Sequence, residues 1–75
     1  MDKLEAIKAY EDFVYTILRD LRNHTPDNLR KADKLRKQIY DSGGHIINAS
    51  CAYVRAMDRV KKEREAFNKG RFLKL

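Results

Sequence analysis

Apolar residues recur along this chain at three- and four-residue steps, and the pattern is broken at Pro26 and at the Gly43-Gly44 pair. In the first segment Leu4, Ile7, Val14, Leu18 and Leu21 fall on one helical face, which Tyr10, Phe13 and Ile17 widen. A helix is predicted over residues 3–23, with a face broad enough for two neighbours. Asp2 and Glu5 have the spacing of a capping box at its start. Thr25 can cap a second helix whose first turn tolerates Pro26, because that position needs no amide donor.

The second helix is predicted over residues 26–41, with Leu29, Ala32, Leu35 and Ile39 as its apolar stripe and Tyr40 at the edge. Gly43-Gly44 then supplies a left-handed cap and a reversal. From residue 45 to residue 69 the series Ile46, Ser50, Tyr53, Met57, Val60, Arg64 and Phe67 follows an alternating four-three spacing, with Ile47 and Val54 alongside. Gly70 stands where a cap is expected, leaving residues 70–75 as a short tail. The expectation is one all-α domain, a small three-helix bundle made of an N-terminal helix and a helical hairpin.

Length sharpens that picture, since a chain of 75 residues sits near the lower limit for one self-sufficient core. Small domains usually add a disulfide, a metal or a second subunit. The lone Cys51 excludes an internal disulfide and favours a reducing, cytoplasmic setting. A weak homodimer is therefore expected. The acidic start and the lack of a long apolar run give no support for export or for a membrane partner.

Charge is unevenly spread. The chain carries +6 overall, from −1 over residues 1–25 to +2 over 26–42 and +5 over 43–75. Projected on a helix, Arg55, Arg59, Lys62 and Lys69 form one ridge, and Arg30, Lys34 and Lys37 form another opposite the stripe of the second helix, with Lys31 nearby. Cations in such rows neutralise phosphates without reading bases. A helix-turn-helix over residues 32–54 fits poorly, because Ile39 or Tyr40 falls where that motif packs a small residue.

Catalytic and metal chemistry find no foothold in the sequence. His24, His45 and Cys51 share no short ligand spacing, and no glycine-rich phosphate loop or nucleophile elbow is present. No enzyme activity, cofactor or metal is expected. Tyr15, which projects towards the polar side of the first helix, and the tail residues Phe72 and Leu73 are candidate anchors for a protein partner. Two functions follow as expectations. The first is an accessory protein that binds DNA or RNA through Arg30, Lys34, Lys37, Arg55, Arg59, Lys62 and Lys69 with little sequence specificity. The alternative is an interaction module, such as an inhibitor, adaptor or assembly factor, that docks on a larger protein through the third helix or the apolar tail.

Overall fold

The computed structural model describes residues 2–73, with the backbone alone for residues 69–73. It is all-α: α1 spans Lys3–Arg19, α2 spans Pro26–Asp41 and α3 spans Ile46–Leu73. Each start has a local cause. Asp2 accepts a hydrogen bond from the Glu5 amide at 3.0 Å, and Thr25 Oγ1 accepts one from the Asn28 amide at 3.2 Å, so each cap satisfies an amide that the first turn cannot. His45 N–H donates to Asn48 Oδ1 at 2.8 Å ahead of α3.

α1 ends at Arg19, four residues before the predicted boundary, and a short 3-10 turn follows over Leu21–Asn23. Asp20 breaks the helix by taking an extended conformation in which its carboxylate accepts from the Arg22 amide at 3.0 Å. The Arg22 guanidinium, hydrogen-bonded to the same carboxylate, holds the Asp20 pKa below its ordinary value. Asn23 Nδ2 then donates to the Thr16 carbonyl at 3.0 Å, satisfying an acceptor left over at the helix end.

The turn after α2 is a Schellman motif. Gly44 N–H donates to the Ile39 carbonyl at 2.8 Å, Gly43 N–H donates to the Tyr40 carbonyl at 3.1 Å, and Gly43 lies at φ +89°. A Cβ on Gly44 would stand 2.5 Å from Ile39 Cγ2 and 2.9 Å from the Ile39 carbonyl oxygen. Since Ile39 is wholly buried, it cannot swing aside. Gly44→Ala is therefore expected to cost about 1–3 kcal/mol, measured as a lower denaturation midpoint. Gly43→Asn, with open space around its Cβ and a residue type that tolerates positive φ, should cost less.

α1 is the centre of the bundle. Ion pairs run in the same order along α1 and α3, from Glu11 with Arg55 to Arg19 with Glu63, so those two helices are parallel and α2 runs back between them in sequence. α2 and α3 each pack on α1 much more closely than on one another. The core joins Ala6, Tyr10 and Val14 of α1, Ile39 of α2 and Ala49, Ala52 and Ala56 of α3. α3, about 42 Å long at 1.5 Å per residue, runs past the end of α1 and accounts for a molecule 50 × 24 × 17 Å in extent.

This core differs from the predicted one on α3. Its inward face is Ala49, Ala52, Ala56 and Val60, whereas Ile46, Met57 and Phe67 of the heptad-like series are 72%, 51% and 68% exposed. Leu4 of α1 and Leu21 of the 3-10 turn are likewise exposed, and Ala6 takes the inward position on α1. The small side chains let α1 and α3 approach closely, which large ones would prevent. The backbone also continues as helix through Gly70 to Leu73, so a tail from residue 70 is replaced by further turns of α3. A glycine inside a helix costs only about 1 kcal/mol relative to alanine, and no proline follows to enforce a stop.

Candidate docking groove

Because α2 and α3 both lean on α1 and touch each other only sparingly, a groove opens between them. Its floor is the apolar face of α1: Tyr10, Val14, Ile17 and Leu18. Leu29, Ala32, Asp33 and Arg36 of α2 form one wall, and Tyr53 of α3 faces them across a hollow of about 350 Å³. Leu18 links this hollow to a second one of about 320 Å³, which has no α2 wall and lies between Leu18 of α1 and Met57, Val60, Lys61, Arg64 and Glu65 of α3. From Tyr53 to Arg64 the α3 wall of the two hollows runs about 16 Å, roughly three helical turns.

The polar residues of the first hollow are His24, Asp33, Arg36, Tyr10 and Tyr53. Burial raises the Tyr10 pKa, partly offset by the nearby Arg36 guanidinium, with Tyr53, Tyr40 and Asp33 also close enough to act on it. Arg36 pairs with Asp33 at 3.1 Å one turn away on the same helix. The groove thus combines apolar side chains of α1 and α2 with polar ones, the mixed composition of a surface that takes up an amphipathic segment.

On the other side of α3 lie the cations that the sequence marked for nucleic acid. Arg55 Nε donates to Glu11 at 2.6 Å, and Arg59 Nη1 reaches Glu11 at 3.2 Å and Asp12 at 3.0 Å. The Arg59 guanidinium sits 4.1 Å above the Tyr15 ring, whose hydroxyl donates to Glu63, and Arg19 lies 3.9 Å from the same carboxylate. The hydrogen bond to Asp12 raises the Arg59 pKa against the opposing effect of desolvation, and the bond to Glu63 raises that of Tyr15. Arg55, Arg59 and Tyr15 therefore fasten α3 to α1. Tyr15 is half-buried against the core and lies away from the groove.

The remaining predicted residues scatter. Lys62 pairs with Asp58 at 3.0 Å and Arg30 with Asp27 at 3.7 Å, while Lys34 and Lys37 are exposed and in no ion pair among the described residues. Lys34 and Lys37 stand exposed on α2, whereas Arg55 and Arg59 of the other ridge are paired with acids of α1. The side chains of Lys69, Phe72 and Leu73 lie outside the described residues. Cys51 is exposed and free. Among the described residues, no group of three His, Cys, Asp or Glu side chains is placed to hold a metal, and no helix is long and apolar enough to cross a membrane.

Tyr53 and Met57 belong to an apolar stripe whose spacing predicts a core position, whereas the structure leaves both about half exposed. The missed signal was the second stripe, Ala49, Ala52 and Ala56, beside arginines that match the acids of α1. Comparison with protein-family models, curated proteins and solved structures finds no match to this chain.

Proposed function

We propose that this protein is an interaction module that receives a helix of a protein partner in the groove between α2 and α3. The observation that carries this reading is the division of labour on α3. Alanines make the seam with α1, while Tyr53 and Met57 stay about half exposed over an apolar floor. A fourth helix laid there would cover that floor and give α2 and α3 the neighbour each lacks, as in a four-helix bundle. Helix-in-groove recognition needs apolar anchors at three- and four-residue steps, and the paired hollows that meet at Leu18 are suited to receive them.

Titrating the protein with a helical peptide of about 16 residues, bearing a leucine stripe on an otherwise neutral glutamine and alanine background, tests this reading. The methyl resonances of Met57, Leu18 and Leu29 should shift, and Met57→Glu should weaken binding by about tenfold or more through burial of a charge. Lack of any shift in those methyls at millimolar peptide would contradict it.

A second reading, phosphate-tracking nucleic-acid binding, retains support from Lys34 and Lys37, which are exposed on α2 without an ion pair among the described residues. It has less to work with, because Arg55, Arg59, Lys62 and Arg30 would have to leave partners on their own chain. In a parallel titration with single-stranded and duplex DNA, steeply salt-dependent shifts confined to α2 would favour it.

A further inference from the structure

We propose, resting on the docking reading above, that the helix received by the groove is acidic along one flank, with its carboxylates met by Lys61 and Arg64 on the α3 rim. Acidic residues of this chain are largely committed to cations of the same chain. Glu11 and Asp12 hold Arg55 and Arg59, Asp58 holds Lys62, and Asp33 holds Arg36. Lys61 and Arg64 instead line the hollow beside Met57 and Leu18 and take part in no ion pair among the described residues. Glu65 lines the same hollow, so its rim still carries two cations against one carboxylate.

Spacing adds to the charge. Lys61 and Arg64 are three residues apart, almost one helical turn, so both point to the same side of α3 about 4.5 Å apart along its axis. Carboxylates at i and i+3 or i+4 of a helix lying alongside would repeat at nearly the same interval. Their long stems can lie along the apolar wall while their charged ends stay at the mouth. A second copy of this chain is the less suitable occupant, because it would bring another +6 molecule against the same rim. Nucleic acid is disfavoured inside the groove because an apolar floor offers phosphates no donors.

The experiment compares three peptides of about 16 residues that share one leucine stripe and differ only in flanking residues: Glu, Gln or Lys. The expected order of affinity is Glu over Gln over Lys, with about tenfold or more between the extremes at low salt. That span should narrow as ionic strength rises from about 0.05 to 0.5 M. The double variant Lys61→Glu/Arg64→Glu should invert the order, and Lys61→Gln/Arg64→Gln should collapse it. Equal affinity of all three peptides, with Met57 and Leu18 methyl shifts retained, overturns the charge assignment and leaves the docking reading intact. Failure of all three to shift those methyls removes the docking reading itself. Concentration-dependent Met57 shifts without any peptide, matched by dimer mass in sedimentation equilibrium, would make a second copy the occupant and overturn the proposal.

Discussion

Ile39→Ala should leave this protein mostly unfolded at room temperature. Among the described residues Ile39 is the large side chain with no exposure at all, and it joins the end of α2 to both α1 and α3. Its Cγ2 methyl also lies against the close backbone approach at Gly44. Truncating such a residue removes its transfer energy and leaves a cavity, together about 2–5 kcal/mol. A core in a chain this short supplies about 3–5 kcal/mol in all, so the loss is comparable to the whole. Far-UV circular dichroism and urea titration should show lost helicity and no native baseline. Ile39→Val, at about 0.5–1.5 kcal/mol, should keep a measurable transition at a lower midpoint. A cooperative transition for Ile39→Ala close to that of the parent chain would mean the core lies elsewhere.

The second large effect is expected where a side chain is enlarged. Ala56 is wholly buried against α1, and Leu in its place would push the two helices apart. The cost is about 1–3 kcal/mol from overpacking. Helix propensity contributes almost nothing to this difference, because Ala and Leu are both strong helix formers, so the urea midpoint reports packing directly. Separation of the helices would also lengthen the Arg55–Glu11 and Arg59–Asp12 contacts, now 2.6 and 3.0 Å. Ala66→Leu serves as a control, since Ala66 is exposed further along α3 and should be nearly neutral. A neutral result at Ala56 would place that residue at the surface.

The elements of this fold were legible because their punctuation is local. Asp2, Thr25-Pro26 and Gly43-Gly44 act through hydrogen bonds within a few residues, and the helix starts and the reversal stand where they indicate. The breadth of the α1 face also announced its contact with two neighbours. What stayed hidden was non-local. Whether Asp20 continues a helix or breaks it depends on a bond to the Arg22 amide that competes with helical geometry. The rotation of α3 about its axis depends on which of two overlapping stripes meets α1, and Val60 belongs to both.

Size misled the sequence reading at that choice. Ile46, Tyr53, Met57 and Phe67 offer more apolar area than Ala49, Ala52 and Ala56, so a burial argument selects them. Close helix approach and the match of Arg55 and Arg59 to Glu11 and Asp12 select the alanines instead. The same rotation moves two arginines from a supposed phosphate ridge to a structural seam and exposes the groove wall. Charge counted along one helix cannot reveal this, since the compensating acids lie on another.

Urea unfolding of Met57→Gln tests that rotation, and with it the groove, in one measurement. Gln keeps the length and helix propensity of Met, so the substitution probes the surroundings of the side chain. With Met57 at the open wall, the unfolding free energy should stay within about 0.5 kcal/mol of the parent chain. A loss of about 2 kcal/mol or more, the penalty for a polar amide placed in a closed core, would put the heptad stripe inside and contradict the groove.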